Sequence, residues 1–133
     1  MKNMKKISFD FDGTISRHFG GQPNPFEDDV RNMIKRLVNE GYDVYIITRR
    51  YGNPMMSENR VVYDVAEMLG INSDNIHFTN REWKYKTINE LGIEYHIDDD
   101  MTDIQYIKDN CKETKGFLLG NNGPEGFYKL IAE

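Results

Sequence analysis

Short apolar segments alternate with amphipathic ones along the whole chain, and this alternation restricts the fold more than any other feature. Residues 7–12, 42–47, 75–79, 94–97 and 116–119 read as strands. Pro25 starts a helix in which Phe26, Val30, Met33, Ile34, Leu37 and Val38 share one face before Gly41 stops it. Ser57 caps a second helix that carries Val61, Val65, Met68 and Leu69 toward the core and ends at Gly70. Further helices are expected over residues 83–91, closed by Gly92, over 102–109 and over 125–132. Strands separated by helices pair in parallel, with helices on both faces, so the expected fold is α/β with a doubly wound, Rossmann-like parallel sheet. The chain has 133 residues and no internal repeat, low-complexity tract or linker, which predicts one domain over residues 1–133.

Composition narrows the class of function. No apolar run approaches the length of a bilayer span, which excludes a membrane-spanning helix. The basic start, from Met1 to Lys6, runs straight into Ser8, Asp10 and Asp12 where a signal peptide needs an unbroken apolar stretch. The single cysteine, Cys111, has no internal partner and no Cys/His cluster beside it, so a reducing cytoplasm is the expected location. Net charge is -5, from 22 acidic and 17 basic residues, which disfavours nucleic acid as a general partner.

A doubly wound sheet binds its ligands beyond the carboxyl ends of the strands, where strand order reverses. Those ends hold Asp10-Phe11-Asp12-Gly13-Thr14, then Thr48-Arg49-Arg50, and Asp98-Asp99-Asp100 with Asp103 close behind, while Lys84 lies just inside the third helix. If the first and fourth strands are neighbours, the carboxylates converge and need a cation. Oxygen-only ligands without histidine or thiolate favour a hard ion, Mg2+, which also neutralises a phosphoryl group. Asp10 can attack phosphorus to form an aspartyl phosphate, and Asp12 can supply a proton to the leaving oxygen. Gly13 permits the tight turn that brings backbone N–H groups to the phosphate, while Thr48 and Lys84 can hold its other oxygens. Lys86, one helical face away, competes with Lys84 for that role.

In four places, in the right order, these residues resemble the haloacid dehalogenase (HAD) superfamily of phosphohydrolases. Asp10 to Thr14 is similar to its first motif, Val44-Tyr45-Ile46-Ile47-Thr48 to its second, Lys84 to its third, and His96-Ile97-Asp98-Asp99 with Asp103 to its fourth. The resemblance implies that Asp10 is nucleophile and metal ligand and that Asp12 is general acid/base and gives its backbone carbonyl to the metal. It implies that Asp99 is the remaining protein ligand, that Thr48 and Lys84 bind the phosphoryl group, and that Asp98 or Asp103 orients metal-bound water. It also implies a sheet order that sets the fourth strand beside the first.

The intervals from Thr14 to Thr48 and from Thr48 to Lys84 are largely used by a helix plus a strand, so no cap domain fits; residues 16–24, with Gly20-Gly21, can form only a small mobile flap. The expected activity is that of a capless, Mg2+-dependent phosphatase acting on a small-molecule phosphomonoester, with nucleoside monophosphates the best single class. A polynucleotide-end phosphatase and a receiver-like phosphoaspartate signalling domain are the alternatives. Arg49, Arg50 and Tyr51, in a loop continuing through Gly52-Asn53-Pro54, are candidates for contact with the leaving group. His77 and His96 are expected to pack or hydrogen-bond, Trp83, Tyr85 and Phe127 to belong partly to the core, and Cys111 to be inert.

Overall fold

A computed structural model describes residues 4–53 and 56–133; Pro54 of the expected substrate loop and Met1 to Asn3 of the basic start lie outside the described residues. Five parallel strands, β1 (Lys6–Phe9), β2 (Asp43–Thr48), β3 (Ile76–Phe78), β4 (Tyr95–Asp98) and β5 (Lys115–Leu118), form one sheet in the order β3-β2-β1-β4-β5. Helices α1 (Glu27–Asn39), α2 (Arg60–Leu69), α3 (Tyr85–Leu91), α4 (Met101–Asn110) and α5 (Glu125–Ala132) make the connections and the C-terminal end. The order reverses between β1 and β4, which places the ligand-binding crevice of such a sheet at the ends of those two strands.

Alternation along the strands divides the core. Ile7 and Phe9 of β1 with Val44 and Ile46 of β2 face α1, α2 and α5, packing on Ile34, Leu37, Val62, Val65, Phe127 and Ile131. Tyr45 and Ile47 point the other way, toward Ile88 of α3 and Ile107 and Cys111 of α4. Phe127 is fully buried and meets Phe9 edge-on at 5.6 Å, whereas Trp83 and Tyr85 are half-buried. Among the described residues, no helix is long and apolar enough to cross a membrane.

Several boundaries and one face differ from the sequence reading. β1 ends at Phe9 rather than Asp12, because the Phe11 carbonyl accepts the N–H groups of Thr14, Ile15 and Ser16 and curls the chain into a turn. Ser57 does not cap α2: residues Ser57–Asn59 form a separate 3-10 turn, and no side chain caps the helix. On α2 the buried stripe is Val62, Val65, Ala66 and Leu69, while Val61 and Met68 are exposed. Both stripes have helical spacing and share Val65 and Leu69, so periodicity alone does not choose between them. Segment 16–24 is a turn pinned at its base, where Asn24 Nδ2 donates to the carbonyls of Thr14 and Ser16 and Gly21 N–H closes on His18 O.

Candidate functional site

At the crevice between β1 and β4, Asp10, Asp12, Thr48, Arg50, Asp98 and Asp99 line a cleft of about 210 Å³. Larger hollows of about 370 and 460 Å³ lie elsewhere, against α1 and α5 and against α2, away from these groups. Asp10 is the first residue past β1, and its N–H still donates to Ile97 O of β4, so its side chain is set by the sheet rather than by a free loop. One oxygen each from Asp10, Asp98 and Asp99 lies within 4.8 Å of the others.

Of the two lysines, Lys84 is the one that faces the carboxylates of the cleft. It is 1% exposed at the N-terminal boundary of α3, and its Nζ donates to Asp10 Oδ1 at 2.7 Å and Asp98 Oδ2 at 2.6 Å, with Asp103 Oδ2 at 3.7 Å. Lys86 points to solvent. Burial opposes the charge on Lys84, but Asp10, Asp98 and Asp103 around it hold its pKa above the usual lysine value. Burial, followed by the charge of Asp98, drives the Asp10 carboxyl well above the ordinary carboxylate range even with Lys84 beside it. Burial would also raise Asp98, but Lys84 and His96 hold it well below that range. Asp99 and Asp103 are raised, in both cases chiefly by burial.

Asp98 is held by groups that sequence reasoning did not connect. Its Oδ2 meets His96 Nε2 at 2.9 Å, its Oδ1 accepts from Asp100 N–H at 3.0 Å, and His96 Nδ1 faces the Ser8 hydroxyl at 2.6 Å. A carboxylate only accepts, so His96 Nε2 carries a proton and donates it to the hydrogen bond with Asp98. His96 is therefore fully engaged in hydrogen bonding, as its place in a strand suggested. Asp100 caps α4 by accepting from the N–H groups of Thr102 and Asp103.

Gly13 has φ +83, and a Cβ there would collide with the Asp99 carboxylate and lie 2.7 Å from His18 Nδ1. Both the turn and the approach of Asp99 require glycine. His18 itself lies 3.4 Å from Asp99 Oδ2, a neighbour with no sequence signal beyond its place in the turn after β1. Thr14 Oγ1 donates to Asp10 Oδ2 at 3.0 Å. Thr48, 1% exposed, closes β2 and accepts the Arg50 N–H at 3.4 Å.

Of Arg49, Arg50 and Tyr51, the tyrosine side chain is turned outward, 55% exposed beside Phe19 at a neighbouring cavity. Arg50 turns inward: Nε and Nη2 donate to Asp12 Oδ2 and Oδ1 at 2.8 and 2.7 Å, and Nη1 donates to Glu58 O at 2.6 Å. Its guanidinium also sits 5.3 Å from the rings of both Phe11 and Phe19. Arg49 lies over Trp83 at 4.0 Å and donates to Arg81 O at 3.0 Å. Arg81, which sequence reasoning passed over, lines the same cleft from the loop after β3.

The donor set suits a hard divalent cation. Asp10 and Asp99 are carboxyls raised first by burial and also by the charge of Asp98, which a cation would offset, and Asp103 Oδ2 is a buried oxygen without a hydrogen-bond partner.

Neither a protein-family model nor a curated protein matches the sequence. Among solved structures the fold is similar to that of a Vibrio cholerae protein provisionally assigned as a 3-deoxy-D-manno-octulosonate 8-phosphate phosphatase, with a TM-score of 0.50 and 22% sequence identity. The alignment covers 84% of this chain and 65% of that one, so the chain spans just under two thirds of its neighbour's length. A likeness at this identity establishes a shared α/β fold.

Proposed function

We propose that this protein is a capless, HAD-like phosphomonoester hydrolase that uses Mg2+ and forms an aspartyl phosphate on Asp10. The observation that carries this reading is the meeting of Asp10 just past β1, Asp98 and Asp99 at the end of β4 and buried Lys84 at the point where strand order reverses. The metal would be held by Asp10, Asp99 and the Asp12 backbone carbonyl, with Asp98 or Asp103 as a supporting residue. When bound, it offsets the charge of a phosphoryl group placed among these anions.

The remaining chemistry belongs to the chain. Lys84 and Thr14 hold the two Asp10 oxygens and fix the carboxylate for attack on phosphorus. As the new P–O bond forms, the ester P–O bond breaks, and the leaving oxygen takes a proton from Asp12. Water then attacks the acyl phosphate, giving its proton to Asp12 and releasing inorganic phosphate and the Asp10 carboxylate. Arg50 donates to both Asp12 oxygens and so fixes the orientation of this carboxyl group. Thr48 and Lys84 would bind the phosphoryl oxygens.

The substrate class that fits is a small phosphomonoester, nucleotides included, because the exposed rings of Phe19 and Tyr51 flank the cleft. A receiver-like signalling domain fits less well, since that fold has the order 2-1-3-4-5 whereas this sheet runs 3-2-1-4-5. A cytoplasmic location agrees with a buried, unpaired Cys111. Turnover of a panel of phosphate esters, measured with Mg2+ and again after metal removal with EDTA, tests the proposal. Hydrolysis that stops in EDTA and returns with Mg2+ is expected. Absence of turnover for every ester, or full turnover in EDTA, overturns it.

A further inference from the structure

Resting on the phosphatase reading, we infer that Arg81 and the Phe19/Tyr51 cavity form a leaving-group subsite for substrates bearing a second anionic group.

Three arginines approach the cleft, and two are already engaged. Arg50 is spent on Asp12 and Glu58 O, whereas Arg49 is held on Trp83 with Nη2 on the Arg81 carbonyl and Nη1 4.0 Å from Asp100 Oδ2, its buried Nε alone lacking a hydrogen-bond partner. The Arg81 guanidinium makes no hydrogen bond or ion pair among the described residues, although Arg81 lines both the carboxylate cleft and the adjoining cavity of about 100 Å³. It thus stands where the site opens into the cavity, with its guanidinium donors free for a ligand.

The backbone that presents it is unusual. Asn80 and Arg81 have φ of 55° and 72°, consecutive left-handed residues without a glycine, a conformation that costs free energy and persists only when surrounding contacts impose it. Here the imposing contacts are specific: Asn80 N–H donates to Arg50 O at 3.2 Å, Arg81 N–H to Arg49 O at 2.7 Å, and Gly52 N–H to Asn80 Oδ1 at 2.8 Å. The loop after β3 is stitched to the loop after β2, and the strained pair turns Arg81 onto the rim instead of letting the chain run directly into α3. The cavity beyond it carries Phe19, 69% exposed, and Tyr51, 55% exposed, two rings suited to a flat or apolar body. A phosphoryl group at Asp10 with its leaving group over these rings would bring a second phosphate or carboxylate to the guanidinium, which pairs with either through parallel N–H donors.

Binding to the Asp10→Asn protein with Mg2+, followed by calorimetry, separates this subsite from turnover. Adenosine 3′,5′-bisphosphate against adenosine 5′-monophosphate tests a second phosphate, and 6-phosphogluconate against glucose 6-phosphate tests a carboxylate. In at least one pair the doubly anionic probe should bind about tenfold or more tighter, the scale of a charge-assisted hydrogen-bonded pair. Arg81→Gln should abolish that preference and Arg81→Lys should keep part of it. No preference in either pair, or a preference that survives Arg81→Gln, overturns the inference. Failure of the unsubstituted protein to hydrolyse p-nitrophenyl phosphate would count against the phosphatase reading alone, since the binding comparison does not depend on turnover.

Discussion

Replacing Lys84 with Met tests whether the buried charge cluster is built around this ammonium. The side chain is 2% exposed, contacts Asp10 and Asp98 at 2.7 and 2.6 Å, and has Asp103 at 3.7 Å. Methionine fills much of the same volume, so the loss is electrostatic and not that of a cavity. Removing one partner of a buried ion pair costs about 3–5 kcal/mol, because the other charge is left uncompensated in low dielectric. The cost depends on pH, and every contribution has the same sign. Asp98 is held below its unfolded value by Lys84, so it contributes stability that is present above the unfolded pKa and lost as pH falls; Lys84→Met removes that contribution. Asp10 and Asp103 are already raised and rise further without the ammonium. A carboxyl with a raised folded pKa binds more protons in the native state, so the variant loses stability as pH climbs. The gap between the proteins should therefore be largest above neutrality and shrink toward about pH 5. Urea denaturation of both proteins in EDTA, at about pH 5 and about pH 8, measures it. A gap below about 1 kcal/mol at the higher pH would make Lys84 no more important than a surface ion pair. A gap independent of pH would refute the assignment of the loss to the carboxylates.

Asp99→Asn should leave the metal-free melting temperature unchanged or higher, since it removes a carboxyl whose raised pKa marks it as a burden at neutral pH, and should reduce the shift produced by Mg2+; a lower metal-free midpoint with an undiminished Mg2+ shift would contradict this. Asp10→Asn should abolish turnover of every ester, while Asp12→Asn should slow a nucleotide far more than p-nitrophenyl phosphate, whose phenolate leaves without a proton; steady-state rates decide, and equal slowing of both esters would remove Asp12 from acid catalysis. Arg50→Gln should reproduce the leaving-group pattern of Asp12→Asn and cost nothing further when added to it, because the guanidinium acts through that carboxylate; additive losses in the double variant would show an independent role.

The alternation of strands and helices was legible because each element declares itself locally, by periodicity, by glycines such as Gly70 and Gly92 at helix ends, and by aspartates that interrupt apolar strands. The same locality put Asp10, Thr48 and Asp98 at the ends of their strands before any fold was known. Local signals run out where two readings are equally periodic, as on α2, where the exposed Val61 and Met68 read as well as the buried Val62 and Ala66. They also run out where partners are distant in the chain: Arg50 reaches Asp12 across 38 positions and Lys84 reaches Asp10 across 74. Neither pairing follows from residue types, because any of several arginines or lysines has the charge required. What selects Arg50, Lys84 and Asp98 is the sheet order, which sets β2 and β4 on either side of β1 and fixes which strand ends share the low-dielectric crevice. The placement of the Arg81 guanidinium is of the same kind, since it depends on the loop after β3 being bonded to the loop after β2.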